Sequence, residues 1–132
     1  MIKRIPLAAS LNALIKVLKD YQDIPVVNKV TDDMPYIKVG AFTCKPNGSK
    51  DIDVSDITSQ IHIYSEYDGE LELNEIADTI IHIIGAVKLD LSANNFNVMD
   101  QSYDMFESFE DEYGYHGVIT FTARVQNKKQ GP

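Results

Sequence analysis

Three histidines, one cysteine and a dense run of carboxylates are the side chains of this chain that could carry chemistry. Zinc held by two helical histidines needs them at i and i+4, so that both nitrogens reach one ion. His62, His82 and His116 stand at no such spacing. His62 and His116 fall on the polar side of strand-like segments and His82 on the wet side of a helix-like one. All three therefore read as ordinary surface or interface imidazoles. Cys44 would be a nucleophile only with a base beside it in space. It closes a strand-like segment with no flanking signature, and a free thiol usually behaves as a small buried hydrophobe. One cysteine also excludes an intrachain disulfide and an all-cysteine zinc cage. No G-x-S-x-G, phosphate loop or dinucleotide fingerprint occurs. The residues point to no catalytic group, no cofactor and no metal.

The carboxylates are densest from Asp104 to Gly114, where five acids fall within eleven residues. No Lys or Arg occurs between Leu89 and Ala123. The Asp-x-Asp-x-Asp-Gly spacing of a calcium loop is missing. The plain reading is a solvated connection between two strands. The functional reading is a binding loop or a wall that repels nucleic acid. Met105, Phe106, Phe109 and Tyr113 favour the second, because large apolar groups left in water tend to mark a partner surface. The candidate interaction residues are therefore Asp104, Phe106, Phe109, Glu110, Asp111, Glu112 and Tyr113. Pro46, Asn47 and Gly48, in a segment from Lys45 to Asp53, join them as the tip of a loop longer than a tight hairpin needs. Asn-Gly there is a turn signal, because both residues tolerate positive φ.

The elements that must position these residues follow from periodicity. Leu7, Leu11, Leu14, Ile15 and Leu18 make one helical stripe from about Pro6 to Tyr21. Tyr36–Cys44 and Val54–Tyr64 read as strands, the second with Ile57, Ile61 and Ile63 on one face. A second helix spans about Glu70 to Val87, with Asp68 as its N-cap. Its buried stripe is Leu73, Ile76, Ala77, Ile80, Ile81, Ile84 and Val87. Phe96–Tyr103 and Tyr115–Gln126 read as the last strands, the latter alternating most clearly. The order α-β-β-α-β-β predicts an α+β fold, a mainly antiparallel sheet with two principal helices packed on it. Residues 1–126 form one domain, and 127–132 form a flexible polar C-terminal tail.

Composition bounds the role. The chain has 132 residues, twenty acidic against twelve basic, and a formal charge of −8. Affinity for nucleic acid comes largely from Lys and Arg neutralising phosphates, so this charge argues against a sequence-independent DNA or RNA binder. It argues equally against docking on an anionic membrane. No apolar run approaches the roughly 20 residues of a bilayer span. The start, Met1 to Pro6, lacks the apolar stretch of a signal peptide. A soluble protein of the reducing cytosol is expected.

One family shares these landmarks. A leading amphipathic helix is followed by Met34-Pro35-Tyr36-Ile37 opening a strand, then by the strand end Gln60-Ile-His-Ile-Tyr-Ser-Glu66. The helix Glu75-Ile-Ala-Asp-Thr-Ile-Ile-His-Ile-Ile84 comes next, and Gly117-Val-Ile-Thr-Phe-Thr-Ala-Arg-Val125 closes the chain. From about residue 5 to 126 this resembles the tail-completion (tail-terminator, tail-to-head joining) proteins of long-tailed bacteriophages and prophages. The resemblance implies a structural virion protein and no enzyme. It implies a ring, usually hexameric, that caps the head-proximal end of the tail tube, stops tube growth and joins the tail to the head connector. It implies tail-tube and connector proteins as partners, a subunit that is free or ring-bound, and DNA passing through the channel without tight binding. It also implies a place in the tail or neck of the virion, reached by assembly in the host cytoplasm. The alternatives are a neighbouring neck or head-completion protein, or a small α+β ligand-binding or enzymatic module.

Overall fold

The computed structural model describes residues 2–29, 33–66, 70–112 and 114–129. The first helix, α1 (Leu7–Tyr21), turns Leu14 and Leu18 into the core. The Pro6 carbonyl accepts the first helical bond, from the Ser10 amide at 3.0 Å. At the other end the Gln22 side chain closes the helix. Its Nε2 donates to the carbonyls of Leu18 (2.7 Å) and Ile24 (2.9 Å). This satisfies a carbonyl that the helix itself leaves open.

A short strand, β1 (Val26–Val27), follows and pairs in parallel with β2 (Tyr36–Val39). The single strand expected over Tyr36–Cys44 is in fact two, β2 and β3 (Thr43–Pro46), laid end to end along β4 (Val54–Ser65). The break has a local cause. The Gly40 amide still bonds the Gln60 carbonyl at 2.8 Å, while the Ser59 hydroxyl donates to the Gly40 carbonyl at 2.7 Å. Phe42 then leaves the alternation and turns into the core, edge-on to Phe121 at 5.9 Å.

The second helix, α2 (Glu70–Ala86), buries Leu73, Ile76, Ala77, Ile80, Ile83 and Ile84. Ile83 takes the place expected of Ile81, which is half-buried along with Val87. Four isoleucines fill positions 80, 81, 83 and 84, so the apolar arc is wider than the contact, and the sheet selects its own side. Asp68, the expected cap, lies outside the described residues.

The largest departure is in the next strand. β5 (Phe96–Asp111) does not stop at Tyr103 but continues for 16 residues, and β6 (Gly114–Asn127) returns alongside it. The segment expected as a loop from Asp104 is thus the outer half of a long β-ribbon. Two bulges, between Val98 and Asp100 and between Tyr103 and Met105, interrupt the register. Backbone pairing is what holds this segment, since most of its side chains beyond Val98 are exposed.

The sheet has six strands in the order β1-β2-β4-β6-β5, with β3 on β4 beyond the end of β2. All its pairings except β1–β2 are antiparallel. With the two helices this is the expected α+β class. Ile57, Ile61, Ile63, Ile119, Phe121 and Val125 form the sheet's side of the core, against Leu14, Leu18, Leu73 and Ile80. Each such buried side chain contributes about 1.5–3 kcal/mol.

Two polar contacts complete the frame. Gln101 on β5 reaches the end of α2, where its Nε2 donates to the carbonyls of Ile84 (2.9 Å) and Val87 (2.8 Å) and its Oε1 accepts from the Leu89 amide at 2.9 Å. At the opposite end, buried Asp53 accepts from the Arg4 amide at 2.8 Å and from Asn127 Nδ2 at 3.0 Å. Asn127 belongs to β6, and the Lys128 amide bonds the Asn95 carbonyl at 2.7 Å.

Candidate functional site: an open sheet face and its outer strand

Register decides which side chains share a face. Both helices pack on the side that carries Ile57, Ile61, Ile63, Gly117 and Ile119. The opposite face carries no helix among the described residues, and its side chains fall into rows across the strands.

Tyr36, Tyr64, His116 and Phe109 form the first row, one from each of β2, β4, β6 and β5. Tyr36 stacks on Tyr64 at 4.8 Å between ring centroids, and Tyr64 on His116 at 4.3 Å. Phe109 meets the His116 ring edge-on at 4.8 Å. Such aromatic contacts contribute about 0.5–1.5 kcal/mol each beyond the area they bury. Exposure rises along the row, from 1% at Tyr36 to 46% at Phe109.

Lys38, His62, Val118 and Glu107 make the next row. His62 Nδ1 lies 2.9 Å from His116 Nε2, so the two imidazoles share one hydrogen bond. Burial pushes the pKa of His62 down, helped by the charges of His116 and Lys38. Burial also lowers that of His116, against the opposing pull of Asp111. The pair is neutral near pH 7, with one ring the donor and the other the acceptor. Burial raises the Tyr64 hydroxyl, with Tyr36 and Asp111 adding to the effect.

Further along lie Thr43, Thr58, Thr122 and Ser102, and then Lys45, Asp56, Arg124 and Asp100. Arg124 Nε donates to Asp56 Oδ1 at 2.9 Å, and Asn47 Nδ2 donates to Asp56 Oδ2 at 2.8 Å. The guanidinium holds the Asp56 carboxyl below its ordinary range. The contact is solvent-exposed, so its role is to fix register more than to stabilise. It also ties the Asn47 hairpin to the sheet.

The expected interaction residues divide into two regions, one in the hairpin and one on the outer ribbon. Pro46 ends β3, Asn47 bridges to Asp56, and Gly48 sits at the hairpin tip. A Cβ on Gly48 would stand 2.0 Å from the Ile52 carbonyl oxygen, so no other residue fits this turn unchanged. Asp104 lies in a bulge of β5 and is exposed. Phe109 is on the open face, and Glu110 and Glu112 are exposed near the ribbon's end. Asp111 Oδ1 accepts from the Gly114 amide at 3.0 Å. Phe106 differs from the expected exposed group. It turns to the helix side and packs against the core, where a Cβ on Gly117 would lie 3.0 Å from both Phe106 and Leu73. Tyr113 lies outside the described residues.

Met99, Tyr103 and the His62–His116 contact were missed by sequence reasoning. Met99 and Tyr103 sit on β5 and are 49% and 45% exposed. Neither carries a motif: Met99 falls in the first bulge, and Tyr103 pairs with Phe121, on the other face from Met105 and Phe109. Cys44 is half-buried against the core, and His82 is exposed on α2. Among the described residues no three His, Cys, Asp or Glu side chains converge as metal ligands.

The geometry thus leaves an open face ordered by stacking and an outer strand rich in carboxylates and exposed apolar groups. No curated protein sequence matches the chain significantly. Among solved structures, 25 chains match. One of them, from the "Virion of native gene transfer agent (GTA) particle", superposes with a TM-score of 0.70 at 13% identity. The match covers 91% of this chain and 95% of that one, and it shows a shared fold. The family description "Tail completion protein gp17" matches residues 7–126. That is most of the chain, and the chain accordingly belongs to the gp17 family of tail completion proteins, as a structural component of a bacteriophage-type tail.

Proposed function

We propose that the protein forms a ring, hexameric in its working state, which caps the head-proximal end of the tail tube, stops its elongation and joins it to the head connector. The observation that carries this reading is β5, an edge strand of 16 residues with Met99, Tyr103, Met105 and Phe109 exposed along it. A long open edge is a template for contact with another chain. In a family of tail completion proteins that contact is structural, and the protein acts by shape and not by catalysis. Its partners on this reading are its own copies, the tail-tube protein and the connector protein.

The acids of the ribbon have a second use in this setting. DNA must pass through a tail without sticking, and carboxylates near the channel repel phosphate. Screening confines that repulsion to about 8 Å at physiological salt, so only groups close to the wall take part.

The test is imaging of tails assembled with and without the protein. Gold label on the protein should mark the head-proximal tail end, and tails assembled without it should be overlong and unjoined. Label on the head instead would transfer the assignment to a neck or head-completion component.

A further inference from the structure

Opposite edges of the sheet differ in chemistry. The β5 edge carries five carboxylates and no basic residue, interleaved with the exposed Met99, Tyr103, Met105 and Phe109. At the other edge α1 and β1 enclose a groove lined by Ile15, Val26, Val27, Asn28 and two lysines, Lys19 and Lys29. Ile15 and the two valines are half-buried there, while both lysines are exposed. β1 is the last strand on that side, so its outer backbone groups pair with no strand among the described residues. One edge is acidic and apolar, and the other holds an apolar groove with two lysines in its lining.

We infer that the β5 edge of one copy seats in the α1–β1 groove of the next. This rests on the ring reading above and names its contact. Both halves of the complementary pair lie on a single chain, at opposite ends of one sheet. That is what a head-to-tail contact requires, and repeating it gives a ring where the rotation between copies divides a full turn evenly. Met105 and Phe109 supply apolar area for Ile15, Val26 and Val27. Glu107 and Glu110 supply charges for Lys19 and Lys29, which steer encounter and fix register. Two β5 edges facing each other would bring like charges together, so the same strand disfavours a two-fold dimer.

Cysteine pairing tests this. In a Cys44→Ser background, one chain carries Lys29→Cys and a second carries Glu107→Cys. The two are mixed in equal amounts and oxidised, both as concentrated free protein and on purified tails. The 29–107 disulfide should exceed both homodisulfides in at least one of the two preparations. A dominant 107–107 link, a statistical mixture, or no link in either overturns the inference. In parallel, Lys19→Glu/Lys29→Glu should weaken self-association about tenfold. A partner chain carrying Glu107→Lys/Glu110→Lys should restore it. Association unchanged by the lysine reversal, or not restored by the partner, also overturns the inference. Gold-labelled tails separate the two levels. Label at the tail end without the 29–107 link removes this contact but keeps the capping role, whereas label elsewhere removes the role itself.

Discussion

His62 Nδ1 stands 2.9 Å from His116 Nε2 across the β4–β6 pair, and the same imidazole of His116 stacks on Tyr64 and meets Phe109. One hydrogen bond therefore locks two rows of the open face together. It requires at least one neutral ring, because two imidazolium groups would present only donors.

Acid should loosen this lock. The folded pKa values of both histidines lie below their ordinary value, so the unfolded chain takes up protons first. Their contribution to stability is complete above about pH 6.5 and is lost as pH falls from there through the folded values. Urea unfolding at pH 7 and at pH 5.5 should show lower stability at the acid pH. His62→Gln/His116→Gln should flatten that difference, and an equal slope in the variant would show that other groups are responsible.

Gln101 should matter more than its place on an edge strand suggests. Its amide bonds the carbonyls of Ile84 and Val87 and the amide of Leu89. Gln101→Leu leaves these groups with less than their full complement. The expected loss is about 2 kcal/mol, read as a lower urea midpoint with an unchanged slope. A midpoint equal to the parent's would mean that water replaces the side chain at no cost.

The hairpin tip offers a cleaner separation of folding from assembly. Gly48→Ala must move the Ile52 carbonyl, since the added carbon would stand 2.0 Å from its oxygen. The expected cost is about 1–2 kcal/mol. Deleting Asn47-Gly48-Ser49 should shorten the hairpin while leaving the core strands paired. Circular dichroism checks the fold, and tail length with joining to heads checks the function. Normal infectious particles from the deletion would exclude the tip from assembly.

Charge on the ribbon can be removed without touching its backbone. Glu107, Glu110 and Glu112 are exposed, so changing all three to Gln should leave the melting temperature within about 2 °C, as expected for surface substitutions. Docking of tails to heads, or DNA ejection, should change. Unaltered rates of both would take these carboxylates out of the mechanism.

Helices α1 and α2 and strands β4 and β6 were legible because each buries one face. Leu14 with Leu18, or Ile61 with Ile63 and Ile119, state that burial in their spacing. The outer half of β5 was not legible for the same reason reversed. Met99 to Asp111 buries almost nothing on either face, so no alternation marks it as a strand. Its conformation comes from pairing with β6, which is a property of two segments at once. The break at Gly40 rests on Ser59 and Gln60, some twenty residues away. The contact of His62 with His116 spans 54 residues of sequence. Residue types alone placed both histidines on polar strand sides, and only the register made them neighbours. Of the candidate interaction residues, the hairpin tip followed from Asn-Gly, whereas the inward turn of Phe106 needed the vacancy at Gly117 to be seen.

That vacancy sets a mechanical condition on the whole molecule. Beyond Val98 the outer strand is fastened to the helical layer by Gln101 and by Phe106, which lies where a larger residue at 117 would intrude. Besides its backbone pairing, the stiffness with which the ribbon holds out its side chains therefore depends on a missing methyl group on the neighbouring strand, opposite Ser108. Filling that space would unbolt the arm while leaving every outward-facing residue in its sequence, so a defect in joining could arise with no change to the joining surface itself.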